Sequence, residues 1–146
     1  MQAGANPNIP DLFGRTPLHC ASSLEFTPLV KMLINAGAQI NKPDEDGETP
    51  LHRSSRFGKE SSSSLLSSSG ANLSLRDSHG RTAAQVASKP SIAANLERLN
   101  SLNKGLLSAA KSGNFAKVKK FIILGAVLNV KDEQQQLPLK VFRNKW

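Results

Sequence analysis

Three histidines, a knot of carboxylates and one cysteine are the residues of this 146-residue chain whose types could do chemistry. His19 and His52 stand 33 residues apart, each closing a Thr-Pro-Leu-His line. An imidazole can ligate a metal or move a proton near neutral pH, so both readings need testing. No Cys or second His is paired with either at the spacing a zinc site uses. His79 sits in a turn, where it is either a contact residue or idle. Asp44, Glu45, Asp46 and Glu48 cluster in another turn. A calcium loop would need oxygen ligands spread over about twelve residues, with a central Gly and a closing Glu, and that pattern is absent. No Gly-rich phosphate loop, Gly-x-Ser-x-Gly elbow or Cys/His zinc pattern occurs. Cys20 is the only cysteine, so it cannot form an internal disulfide, which is compatible with a reducing, intracellular compartment. It reads as a small buried apolar side chain. Nothing in this set assembles a catalytic constellation, and no cofactor or metal is implied.

The elements that hold these residues repeat. Asp11, Gly14, Thr16, Pro17, Leu18 and His19 recur as Asp44, Gly47, Thr49, Pro50, Leu51 and His52. A third copy keeps Asp77, Gly80 and Thr82 but continues Ala83-Ala84-Gln85. A fixed period of this length marks a stacked array of short units. Apolar residues make up 38% of the chain and there is no Tyr. That is thin for one globular core but enough where each unit buries a narrow face on its neighbours.

In the first full unit, from Asp11, Thr16 caps a short helix whose first residue is Pro17, where the missing N–H costs nothing. Thr27 and Pro28 repeat the signal and open a second helix, with Leu29, Val30, Leu33 and Ile34 on its buried face. Gly37 closes it. The unit from Asp44 has a good opening and a poor interior: Arg53, Ser54 and Ser55 follow His52, and residues 60–69 are mostly serine, closed by Gly70. Serine competes for helix hydrogen bonds, so this helix is expected to be the weakest element; the alternative is a phosphorylated tract. In the third unit Pro90 and Ser91 open a helix with Ile92, Leu96, Leu99, Leu102 and Leu106 in one stripe, expected to break near Gly105. Gly125 follows Gly70 by 55 residues where two periods would need 66, so eleven residues are missing between 90 and 105. A fourth unit pairs a helix from Leu106 with one from Asn114, with Val118, Phe121 and Ile122 facing in. A fifth begins at Asp132, with Leu137-Pro138-Leu139-Lys140 in place of the Thr-Pro-Leu-His line. The chain begins in mid-unit and ends in mid-unit, which reads as a fragment or as an array capped by another chain.

The unit resembles an ankyrin repeat: an Asp-x-x-Gly-x-Thr-Pro-Leu-His opening, two helices, a Gly-Ala close and a turn reaching to the next unit. The resemblance implies an all-α solenoid of stacked antiparallel helix pairs joined by β-turn or hairpin connections. Residues 1–98 would form the first stack, and 99–146 a further unit with a partial one after it. It implies that His19 and His52 hydrogen-bond across the turn with the Thr three residues before them. It also implies a non-enzymatic scaffold that binds another protein through a concave face of turn tips and first helices. The tips would be Leu12, Phe13 and Arg15, then Glu45, Asp46 and Glu48, then Ser78, His79 and Arg81. First-helix positions on that face would be Ser23 and Leu24, then Arg56 and Phe57. Apolar residues flanked by charge are what an interface core looks like.

Net charge is +8 and unevenly spread. Residues 1–103 hold ten basic and nine acidic side chains, residues 104–146 nine and two. The basic stretch includes Lys111, Lys117, Lys119, Lys120, Lys140, Arg143 and Lys145. It reads as a solvated face, or alternatively as a surface for nucleic acid or anionic lipid. A third alternative is the recognition arm of a larger enzyme or receptor. No apolar run is long enough for a transmembrane helix, and the N-terminal residues carry no secretory pattern.

Overall fold

The computed structural model describes residues 5–125. The chain forms two compact units, residues 1–94 and 95–146. In the first unit, helix α1 (Pro17–Ser22) is paired with α2 (Thr27–Asn35), and α3 (Pro50–Arg56) with α4 (Glu60–Ser68). A short α5 (Ala83–Val86) follows, then α6 (Pro90–Ser112). Helix α1 packs on α2 and α3, α2 packs on α4, and α3 packs on α4 and α5. First helices therefore form one row and second helices another, the arrangement of a solenoid. Among the described residues there is no strand.

Local chemistry sets these boundaries. Thr16, Thr49 and Thr82 have extended backbones at the N-cap, with ψ of 168°, 168° and 167°. In α1 and α3 a proline follows, pre-set for the first turn. Helix α2 starts one residue earlier than the Thr-Pro pair suggests: Phe26 is the N-cap and Thr27 the first helical residue. The core of the unit is Leu18, Ala21, Val30, Leu33, Leu51, Leu66, Ala71, Leu73 and Ala83. Cys20 lies outside it and is exposed. Leu18, His19, Ala21 and Ser22 take the inward face of α1, and the helical twist turns Cys20 away from that face.

The tips repeat one construction three times. Oδ1 of Asp11 accepts the amides of Phe13 and Arg15 at 2.8 and 2.9 Å. Asp44 does the same for Asp46 and Glu48, and Asp77 for His79 and Arg81, all at 2.9 Å. An Asp at this position folds the turn from within. Adjacent tips are then joined through backbone: the Glu45 amide donates to the Phe13 carbonyl (3.0 Å) and the Ser78 amide to the Asp46 carbonyl (2.9 Å). Gly47 makes the second approach feasible. A Cβ there would lie 2.7 Å from the Ser78 nitrogen.

The serine-rich segment is a nine-residue helix, α4. Its interior is polar: Ser62, Ser63 and Ser67 are buried beside Ser54 and Ser55 of α3. Ser63 Oγ donates to Ser54 Oγ at 2.9 Å, and Ser54 Oγ to the Leu51 carbonyl at 3.1 Å. Ser55 and Ser62 Oγ are buried with no partner. Leu66 is the one fully buried apolar side chain of α4.

Helix α6 differs from the expectation. It is unbroken from Pro90 to Ser112, Gly105 included, and Ser91 lies inside it. A helical glycine costs about 1 kcal/mol, but here it seats a ring. A Cβ at Gly105 would lie 2.5 Å from Phe121 Cζ. Helix α7 (Phe115–Ile123) is capped by Asn114, whose side chain accepts the Lys117 amide at 3.1 Å. Leu106, Ala109, Ala110 and Val118 form the core here, with Leu102 and Phe121 packed on it. Ile122 does not face in as expected; it is exposed. Gly125 closes α7 as Gly37 and Gly70 close α2 and α4. The fifth unit, with Asp132, Leu137 and Lys140, and the cations Arg143 and Lys145 lie outside the described residues.

Candidate functional site

His19 and His52 use both ring nitrogens inside the fold. His19 Nδ1 accepts the Thr16 amide at 3.0 Å and lies 2.9 Å from Thr16 Oγ1. Nε2 then carries the proton and donates to the Glu48 carbonyl of the next unit at 2.8 Å. His52 repeats the bonds with Thr49 at 3.2 and 2.9 Å, and with the Arg81 carbonyl at 2.8 Å. Each histidine thus completes its own helix cap and ties it to the following tip. Gln85 does the first job alone, its Oε1 accepting the Thr82 amide at 2.8 Å. Burial pulls the His19 imidazole down from 6.5 to about 4; Asp44 opposes this, while Arg53 and Arg15 add to it. With both nitrogens of each ring engaged inside the fold, these rings are structural.

The carboxylates of the middle tip differ in how far the fold engages them. Asp44, Asp46 and Glu48 bring oxygens within 4.8 Å of one another. Glu48 is not at the surface, as a tip residue should be, but 1% exposed. Its carboxylate pairs with Arg56 and lies 3.9 Å from Arg53 Nη1. The reason is a sign change in the repeat. Arg15 and Arg81 occupy the position that Glu48 takes in the middle unit. In the third unit Arg81 donates from Nε and Nη2 to Asp77 Oδ2, both at 3.0 Å. In the middle unit an acid at that position cannot serve Asp44, so Asp44 Oδ2 is left without a partner. Glu48 turns instead to the cations of α3. Burial raises the Asp77 carboxyl, but the Arg81 amide and guanidinium and the His79 amide outweigh it and leave it lowered. The Asp11 carboxyl is also lowered, first by the Arg15 amide.

The other residues named from the sequence are placed as follows. Leu12, Phe13, Leu24, Glu45, Asp46, Arg56, Phe57, Ser78, His79 and Arg81 are exposed, and Arg15 and Ser23 half-buried. Two aromatic–cation pairs organise this surface. The Arg15 guanidinium lies 4.9 Å from the Phe13 ring centre and that of Arg53 lies 5.2 Å from Phe57. Such stacking holds the guanidinium plane in place. Arg53 was missed by sequence reasoning, which took it as a defect in a small apolar position. Its signal was available: it precedes Phe57 by four residues on one helix face. It also occupies the repeat position of Cys20.

Over residues 1–77 the chain matches the family model for ankyrin repeats, in three copies. No curated protein matches it. No helix among the described residues is long and apolar enough to cross a membrane. Ankyrin repeats are in general protein–protein interaction modules and typically non-enzymatic. The repeated tips, the helix pairs stacked in two rows, the histidine links and this match agree, and the chain belongs to the ankyrin-repeat family.

Proposed function

We propose that this chain binds another protein through the face formed by its tips and first helices, as a non-enzymatic scaffold. The observation that carries this reading is the exposed set Leu12, Phe13, Leu24 and Phe57, at 91, 57, 66 and 49% exposure. These apolar side chains stand among Arg15, Arg53 and Arg56, on elements held rigidly by the histidine and tip bonds. Large exposed apolar residues rimmed by charge mark interaction surfaces. Residues from 99 onward read as a further ankyrin unit and a partial one after it, supported by the α6–α7 pair closing at Gly125.

The test is binding of a candidate partner protein to the full chain at rising salt, with Phe13→Ala and Phe57→Ala beside the parent. Apolar recognition at this face predicts binding that survives high salt and weakens at least about tenfold in the double variant. The competing reading places binding on the basic stretch, where Lys117, Lys119 and Lys120 are exposed on α7. Binding that collapses with salt and ignores both phenylalanines would favour nucleic acid or anionic lipid instead.

A further inference from the structure

We propose that the partner presents an acidic segment with an apolar anchor, its carboxylates meeting Arg53 and Arg56 and its apolar side chain resting on Phe57. This rests on the interaction face proposed above and adds the chemistry of the occupant. Helices α1, α3 and α5 carry only two charged side chains besides the neutral His19 and the hydrogen-bonded His52, namely Arg53 and Arg56, and both are cations. One carboxylate, that of buried Glu48, is shared between them. The first-helix row therefore keeps an excess of positive charge.

Most of the acids that could balance it are committed elsewhere. Asp11, Asp44 and Asp77 hold tip amides. Glu25 accepts the Ser61 amide at 3.0 Å, and Glu60 accepts from Ser91 Oγ at 2.8 Å. The guanidiniums are also poised. Arg53 is stacked on Phe57 and Arg15 on Phe13, and the Arg56 side chain, 43% exposed against 12% for Arg53, offers the larger accessible edge. A carboxylate there would find stacked, planar donors suited to two-point binding, with an aromatic surface beside them for an apolar neighbour. Glu45 and Asp46 are exposed at the adjoining tip. They would repel a continuous polyanion such as RNA or a lipid surface, but not a peptide whose acids are intermittent.

The experiment pans a library of random displayed peptides on the full chain. Fluorescence anisotropy follows with the selected peptides, with their Asp→Asn and Glu→Gln versions, with oligouridylate and with phosphatidylserine vesicles. The expected result is acidic peptides with an apolar residue that bind at least tenfold more weakly as amides. The same peptides should weaken with Arg53→Gln, Arg56→Gln and Phe57→Ala. Changing the peptide leaves the protein untouched, so that arm stands even if an arginine variant unfolds. Peptides that need Phe57 but bind equally well as amides, or that are basic, overturn the acidic partner and leave the proposed face intact. Peptides indifferent to Phe57 and to both arginines, or a library that yields no binder, overturn both. Oligouridylate or vesicles that bind more tightly than any peptide, through Arg53 and Arg56, overturn the peptide partner.

Discussion

His19→Gln should invert the order of stability between wild type and variant as pH falls. In the wild type the folded imidazole resists its proton until about pH 4, whereas the unfolded chain takes it up at 6.5. A depressed base stabilises the fold while both states are neutral, above 6.5, and that stability drains away as the unfolded state alone binds a proton. Below about 4 both states are protonated and nothing more is lost. Between about pH 8 and about pH 5 the expected loss is about 2 kcal/mol. The lowered carboxyls of Asp11 and Asp77 run the other way in pKa: their stability is present above 3.8 and is lost only below it. Measurements down to about pH 5 therefore isolate the histidine.

Gln85 shows what the variant keeps and what it gives up. A glutamine at this position still accepts the N-cap amide, but His19 also donates to the Glu48 carbonyl. Losing one such bond costs about 1 kcal/mol, and that cost does not change with pH. Wild type should be the more stable by about 1 kcal/mol at about pH 8 and the less stable by a similar amount at about pH 5. The two curves cross near about pH 6. Urea unfolding followed by circular dichroism at a series of pH values measures this. Parallel curves for the two proteins would refute the assignment of His19 as a buried neutral link.

Further expectations concern the tips and the serine interior, and the same unfolding assay reads them. Gly47→Ala should cost about 3 kcal/mol or more, because a left-handed backbone and a Cβ against the Ser78 nitrogen both oppose it. Gly80→Ala shares a φ near +76° but meets nothing within 4 Å, so only about 1 kcal/mol is expected. Equal effects would remove close tip contact as the reason for Gly47. Ser62→Ala should stabilise by about 1 kcal/mol, since it deletes a buried hydroxyl with no partner. Ser63→Ala should destabilise by about 1 kcal/mol, because it removes the donor to Ser54; opposite signs in these neighbours are the diagnostic result.

What could be read in advance was whatever a short-range pattern encodes. The Asp-x-x-Gly-x-Thr-Pro-Leu-His line contains its own turn and cap, so units at Asp11, Asp44 and Asp77 were visible without any tertiary information. The misses share a different cause. Cys20 looked buried because small thiols usually are, but its exposure depends on the orientation of a six-residue helix. Gly105 looked like a break because its cost is local while its compensation, the Phe121 ring, lies sixteen residues away. Glu48 looked like a surface acid because tips are exposed. Its burial follows from Arg53 and Arg56 on the next helix, and the repeat pattern alone marks Arg53 as a flaw. The same substitution thus hid both the fate of Glu48 and the most organised cation of the face.

The middle unit combines the poorest apolar interior with the residues proposed to bind, and its neighbours explain how it can do both. Its tip receives the His19 proton at the Glu48 carbonyl and the Phe13 carbonyl at the Glu45 amide. On the other side it gives His52 to the Arg81 carbonyl and the Asp46 carbonyl to Ser78. Four bonds to backbone therefore clamp it from both sides, independently of how well α4 is packed. In a solenoid each unit draws stability from its interfaces as well as its own core, so a weak core is tolerated where the interfaces are strong. Arg53, Arg56 and Phe57 are placed by these clamps more than by the serines beneath them. Loss of the His52 link should thus loosen the binding face, even though His52 touches no partner. Loss of a serine hydroxyl in α4 should change stability with little effect on the face.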